Sequence, residues 1–309
     1  MTPLSPLAAI RAATRDLHAR LDGGAFAQAV RKGTLPVARY ESFLRAVHSV
    51  LLAVEECVEL SGSGALQDAY AHGCTRRGRL ARDLQYLRAD MNHVDAAVLH
   101  ALVLSQQLRR DAQHGEAAVF GHLYVLEGSQ LGGLLLCNAL AQRPELQHGG
   151  LTYLSGAADE TRAQFQAFLA KLEAQLPDEA SIASAVTGAT HAFEGFAAIV
   201  AAVMSADLAG PWLTAPLNVE AGTHAIPRDV REVQAALSAG EQSFRRWSYY
   251  GARYGERGLR FTRSDSCWLV TLARHEGDAA LRHLRWLARV LAARGMPTLL
   301  LEQHLELLH

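Results

Sequence analysis

Residues 115 to 142 ask for one long helix, since "EAAVF" opens the run and "LLLCNALA" closes it, yet the stretch "GHLYVLEGSQLGG" between them places glycine at 121, 128, 132 and 133. A glycine in a helix interior is worse than alanine by roughly 1 kcal/mol, so the last three together weaken this helix by about 3 kcal/mol. On a helix Gly128 and Gly132 are one turn apart and share a face with Gly121 and Val125, while Ser129 and Gly133 lie beside them. That face is almost bare backbone. Either a second helix approaches it closely, or something flat and wide lies against it. The spacing alone leaves both open.

The rest of the chain is of one texture. Half of its 309 residues are hydrophobic, mostly Ala and Leu. Valine, isoleucine and threonine are too sparse for many strands, so the expectation is an all-α fold. Apolar positions Ala9, Ile10, Ala13, Leu17 and Leu21 recur at three and four, which predicts a first helix over about 6 to 21, ended by Gly23 and Gly24. A short helix closed by Gly33 follows, then a long one from Pro36 to "SGSG". Further helices are expected at about 65–89, 94–108, 115–142, 159–175 and 180–205. The segment 208–227, with three prolines and two glycines, is expected to be a linker between a domain at 1–207 and a helical C-terminal unit at 228–309. Within that unit "SDSCWLVTL" has the form of a capped helix start at Ser264.

The formal net charge of -1 gives no basic field for nucleic acid. Charge at residue 11 comes too early for a secretory core or a membrane span. Cys57, Cys74, Cys137 and Cys267 show no CxxC spacing and suit reduced thiols. The expectation is a cytoplasmic protein with no membrane and no nucleic-acid partner.

In "IRAATRDLHARLD", His18 has Arg11 seven residues before it and Asp22 four after, all on roughly one side of the first helix. A lone helical histidine is usually packed or solvated. This one comes with a cation for an acidic group and an acid able to fix its tautomer through the other ring nitrogen. A metal-bearing planar molecule with carboxylate tails, such as heme, would use all three.

Both segments resemble the bacterial heme oxygenases that make biliverdin, including those encoded with bacterial phytochromes. The first-helix pattern ATxxxHxxL followed by an acid is matched by Ala13, Thr14, His18, Leu21 and Asp22, and the pattern LYVLEGSxLGG by Leu123 through Ser129 with Leu131, Gly132 and Gly133. The resemblance covers about residues 5–205 and leaves the C-terminal unit unassigned. It implies an all-α domain in which heme, both cofactor and substrate, lies between the first helix and a kinked distal helix. His18 would be the axial ligand to iron, and Gly128, Ser129, Gly132 and Gly133 would cross the other heme face. With O2 and electrons from an external reductant (a ferredoxin, flavodoxin or reductase), heme would be opened at a meso carbon to biliverdin, carbon monoxide and iron. Family analogy adds a bacterial phytochrome as recipient of the biliverdin. Some animal relatives carry aspartate where this chain has Ser129, which is therefore expected to anchor water more weakly, or merely to bond back to the carbonyl of residue 125.

Other matches are partial. "YLSGAADETRAQFQAFL" fits the family's YGxxTGxxWxxF segment at Thr161, Phe165 and Phe168 but lacks its tyrosine-glycine pair and tryptophan. Arg162 and Lys171 are candidates for the heme carboxylates, or solvated charges. Phe193 and Phe196 of "HAFEGFAAIV" would wall the heme edge or pack in the core, and Tyr124 could face either way. In the C-terminal unit Tyr249, Tyr250, Tyr254, Arg253, Arg257, Arg260 and Arg263 crowd together, as a ligand grip or as a connector. Two other functions compete: a heme- or tetrapyrrole-binding protein without turnover, and a non-heme di-metal oxidase. The second needs ExxH pairs on facing helices, and Asp111 with His114 is the nearest approach.

Overall fold

The computed structural model describes residues 5–71, 73–156, 160–205, 214 and 216–309; of 73–75 and 135 only the backbone is described. Among these residues are fourteen α-helices, one 3₁₀ turn at Pro144–Leu146 and no β-strand, so the chain is all-α. In order the helices are α1 Pro6–Gly23, α2 Ala25–Arg31, α3 Val37–Ser61, α4 Gly64–Ala69, α5 Gly73–Tyr86, α6 Ala96–His114, α7 Glu116–Leu140, α8 Thr152–Ser155, α9 Thr161–Ala174, α10 Glu179–Met204, α11 Val230–Arg246, α12 Ser248–Leu272, α13 Gly277–Ala293 and α14 Thr298–Leu308. They form two compact units, Met1–Asp90 with Ala96–Leu208, and Met91–Asp95 with Ala209–His309.

Local chemistry sets the helix ends. The Ser5 hydroxyl accepts the Ala8 N–H at 3.3 Å and Pro6 pre-sets the first turn of α1. Asp178 and Ser181 form a capping box at the start of α10, with the Ser181 N–H on the Asp178 carboxylate at 2.8 Å. Gly62 stops α3 in the left-handed conformation, φ +63°. The run expected at 65–89 is two helices, interrupted after Ala69.

In the first unit α10 is the central helix, burying Ala185, Ala189, Ala192, Phe193, Ile199 and Val203. Among the described residues it alone is long and apolar enough to cross a membrane. It crosses α7 with the two backbones touching. A Cβ built on Gly121 would stand 2.0 Å from the Ala185 carbonyl oxygen, and one on Gly188 the same distance from that of Ala118. Small residues on both helices permit this approach. Around the crossing Ile10, Tyr40, Leu44, Leu51, Leu99, Phe120 and Leu123 complete a core closed to solvent.

In the second unit the short stretch Met91–Asp95 pairs with the residues before α11: the Val94 N–H donates to the Arg228 carbonyl at 2.9 Å and the Val230 N–H to that of Asn92 at 3.0 Å. Of the expected linker, 208–213 and 215 lie outside the described residues. The remainder folds into this unit, with the Thr214 hydroxyl on the Gly222 carbonyl at 2.9 Å and Leu217 and Ile226 buried. Helix α12 corrects the expected start at Ser264. It runs from Ser248 and breaks at Gly255 (φ 50°, ψ -146°), while the Ser264 hydroxyl donates to the Phe261 carbonyl at 2.9 Å. A serine before an apolar run is a cap only when its hydroxyl meets free N–H groups, and here it back-bonds inside a helix. The aromatic-arginine crowd consumes its own charge: Arg257 and Arg260 pair with Glu220 at 2.6 and 3.6 Å, and the Arg253 guanidinium lies 5.7 and 5.4 Å from the Tyr249 and Tyr254 rings.

Beneath α13 and α14 a small cavity of about 40 Å³ is lined by Asp265, His304, Tyr250, Thr262 and leucines. Burial pushes the Asp265 carboxyl up to about 7 and the His304 imidazole down to about 4. An unfolded aspartate titrates near 3.9, so Asp265 binds its proton more tightly in the folded state and stability falls as pH rises from about 4 to 7. Asp265→Asn should therefore stabilise this unit by roughly 2–4 kcal/mol at pH 8 and leave it nearly unchanged at about pH 3, where both states are largely protonated. All four tryptophans (212, 247, 268 and 286) lie in residues 209–309, so denaturation followed by tryptophan emission reads this unit alone. An equal effect at both pH values would refute the assignment.

Candidate functional site

His18 stands in the last turns of α1 with its side chain 62% exposed. Its Nδ1 lies 3.2 Å from the Asp22 carboxylate one turn on. A carboxylate beside Nδ1 suits the tautomer in which Nε2 is the free nitrogen, the one a metal-binding imidazole uses. The Phe193 ring of α10 stands edge-on to the imidazole, centroids 5.8 Å apart, so one wall of the histidine is aromatic. Phe193 is at the same time a core residue, and Phe196 packs, half-buried, against that core.

Two turns earlier on the same helix, Arg11 lines a cleft of about 470 Å³ with Leu131 and Leu134 of α7 and Thr161, Arg162, Phe165 and Gln166 of α9. That volume lies in the range of small-molecule sites. His18 is not among the lining residues; it adjoins the cleft along α1. The two guanidinium groups suit anionic tails, and the leucines and phenylalanine suit a flat apolar body. Lys171, the other candidate cation, is committed elsewhere: its Nζ lies 2.7 Å from the Asp68 carboxylate.

Helix α7 keeps helical dihedrals from end to end, and none of its glycines has positive φ. The glycines divide into separate tasks. Gly121 serves the crossing with α10, and a Cβ on Gly133 would meet the Leu154 carbonyl of α8 at 3.2 Å. Gly128 is covered: a Cβ there would touch the Phe165 ring at 3.5 Å. Only Gly132 of the four opens on empty space, with no atom within 4 Å of an added Cβ. The expected bare face is thus one open position beside one under an aromatic ring. Tyr124, a turn before Gly128, faces the same ring at 6.3 Å between centroids. The Ser129 hydroxyl donates to the Leu126 carbonyl at 2.7 Å, three residues back and not four.

A residue inside the glycine motif has a structural role that the sequence did not disclose. Glu127 receives both bonds of the buried Arg76 guanidinium of α5, at 2.5 and 2.6 Å, and the Tyr70 ring lies 6.0 Å from the same cation. Arg76 is 3% exposed, so removing its counter-charge strands a cation in the core. Glu127→Gln should destabilise the first unit by about 3 kcal/mol in urea unfolding followed by far-UV circular dichroism. A change within 0.5 kcal/mol or so would show the pair to be dispensable.

The sequence model described as heme oxygenase matches residues 5–202. "Heme oxygenase" of Xanthomonas campestris pv. campestris (strain 8004) is 35% identical over 176 residues, covering 57% of this chain and 96% of that protein.

Proposed function

We propose that this chain, which belongs to the heme oxygenase family, takes heme as substrate and cofactor and opens it at a meso carbon to biliverdin, carbon monoxide and iron, using O2 and electrons from an external reductant. The observation that carries this reading is the placement, on one helix, of an imidazole oriented through Nδ1 by Asp22 and of Arg11 in a cleft shared with the glycine-bearing helix.

The residues present fit the group. Heme, when bound, supplies the redox-active iron and the ring carbon that is oxidised. His18 would hold the iron through Nε2, with Asp22 orienting the ring from the Nδ1 side. As a ligand, an imidazole would donate less electron density to the iron than a thiolate would. Arg11 and Arg162 would take the carboxylates by charge-assisted hydrogen bonds. Gly132 leaves open space on α7 where a ligand would fit, and the Phe165 ring would have to shift from Gly128 for that part of the helix to lie close to a ligand. Ser129 has committed its proton to the Leu126 carbonyl, so it can accept from a water but not donate to one. A proton route would then depend on water held by this oxygen and by backbone groups. The electron donor would be a protein of the ferredoxin, flavodoxin or reductase kind, and a bacterial phytochrome would be a recipient of the biliverdin.

Hemin added to the purified full chain, followed by a reductase couple and oxygen, tests the reading. Biliverdin and carbon monoxide are the expected products. A stable heme complex that never turns over would replace the oxygenase by a heme carrier, and failure to bind hemin would remove both.

A further inference from the structure

The tight crossing of α7 and α10 brings together residues far apart in sequence. Immediately after Gly121 on α7 comes His122, and three residues after Gly188 on α10 comes His191. Both rings converge on Asp111, in the last turn of α6. His122 Nε2 lies 2.7 Å and His191 Nδ1 2.9 Å from the same carboxylate oxygen, Oδ2. One donor atom from each of the three residues falls within 4.8 Å of the others. Among the described residues no other group of three histidine, cysteine or acidic side chains converges in this way.

From this we infer a binding site for a single divalent transition-metal ion, held by Asp111, His122 and His191, separate from His18. Two imidazoles and one carboxylate are the donor set of the facial-triad and zinc classes. Neighbouring donors around an ion with bonds of about 2.0–2.1 Å stand roughly 2.9 Å apart in octahedral and about 3.4 Å apart in tetrahedral geometry, so the two nitrogen–oxygen separations lie nearest the octahedral value. The three ligands come from three different helices, and two of these, α7 and α10, are held backbone to backbone by the glycine contacts.

The surroundings agree. Asp111 Oδ1 accepts from the Gln107 side chain at 2.9 Å, which orients the carboxylate as an outer-shell partner does. His122 is 2% exposed while the His191 side chain is 31% exposed, giving a buried floor and one open side for entry.

The test uses the heme-free full chain, stripped with chelator and titrated with cobalt(II) followed by its visible d–d bands, then with zinc followed by thermal unfolding. One cobalt per chain is expected, together with a zinc-dependent rise in the unfolding midpoint. His191→Ala should weaken cobalt binding at least tenfold. His191→Gln, which keeps a polar group at a half-exposed position, should do the same with an unchanged circular dichroism spectrum. His18→Ala and His283→Ala should bind cobalt like the parent, which separates this site from the His18–Asp22 pair and from the neighbouring rings of His275 and His283, 5.6 Å apart between centroids. No cobalt uptake, or uptake that survives both His191 substitutions, would reduce the cluster to a hydrogen-bonded triad and overturn the proposal.

Discussion

His18→Ala is expected to lower heme turnover by more than about 100-fold and to erase the axial-histidine signature from the visible spectrum of the hemin complex. Hemin should still associate weakly, because Arg11, Arg162 and the leucines of the cleft remain. The fold should not notice. The side chain is 62% exposed and its partner Asp22 is likewise at the surface, so unfolding should move by no more than about 0.5 kcal/mol. This separation of activity from stability distinguishes a ligand from a packing residue. Free imidazole added to the variant should restore part of the spectrum, since the missing group is a small diffusible ring. Asp22→Asn offers the graded control: the ligand stays and only its orientation is released, for a loss on the order of tenfold in heme affinity. If His18→Ala kept its turnover and its axial spectrum, the iron would be held elsewhere and the proposed site would be wrong.

Gly121→Ala should be, with Gly188→Ala, among the most damaging single-methyl changes in the first unit. The new Cβ would stand 2.0 Å from the Ala185 carbonyl oxygen and 2.7 Å from the Ala189 nitrogen, both main chain, so no side chain can swing aside. The two helices must part, carrying with them the buried residues on either side. Overpacking of this kind costs about 3 kcal/mol or more, a large share of the stability of an ordinary domain. The expected result is a collapse of the far-UV dichroism midpoint, or no soluble first unit, while tryptophan emission from residues 209–309 keeps its own transition. Gly132→Ala is the informative opposite. Its Cβ would meet nothing within 4 Å and alanine is the better helix former, so stability should rise by about 0.5–1 kcal/mol. Turnover should fall nonetheless, because the methyl group would enter the space proposed for the substrate. If Gly132→Ala were both more stable and fully active, the gap above this helix would have no catalytic purpose.

The contrast between these two glycines marks how far the sequence could be followed. Spacing identified a helix with a nearly bare face and left two explanations, a second helix or a flat ligand. The structure divides the face between them: Gly121 meets α10, Gly133 meets α8, Gly128 lies under Phe165, and Gly132 is open. No local pattern could make that division, because each task depends on what stands opposite. The same limit hid the Arg76–Glu127 pair, 51 residues apart, and turned the serine before an apolar run into an interior residue of α12.

His18 and Asp22 were legible because they are four apart on one helix, and residues at that spacing meet whatever the tertiary fold. Asp111 was paired in the sequence with His114, also nearby, yet His114 Nδ1 lies 2.8 Å from the Arg110 carbonyl and the histidine partners of Asp111 are 11 and 80 residues away. Helix period, caps and the scarcity of strand formers thus determined by themselves that this chain is all-α, where most of its helices run, and that an imidazole and an acid share one turn. Which helices touch, which glycine stays uncovered and which histidines gather around a carboxylate were decided only in three dimensions. Hydrogen bonds within a helix span four residues, whereas burial joins whatever apolar faces the whole chain presents.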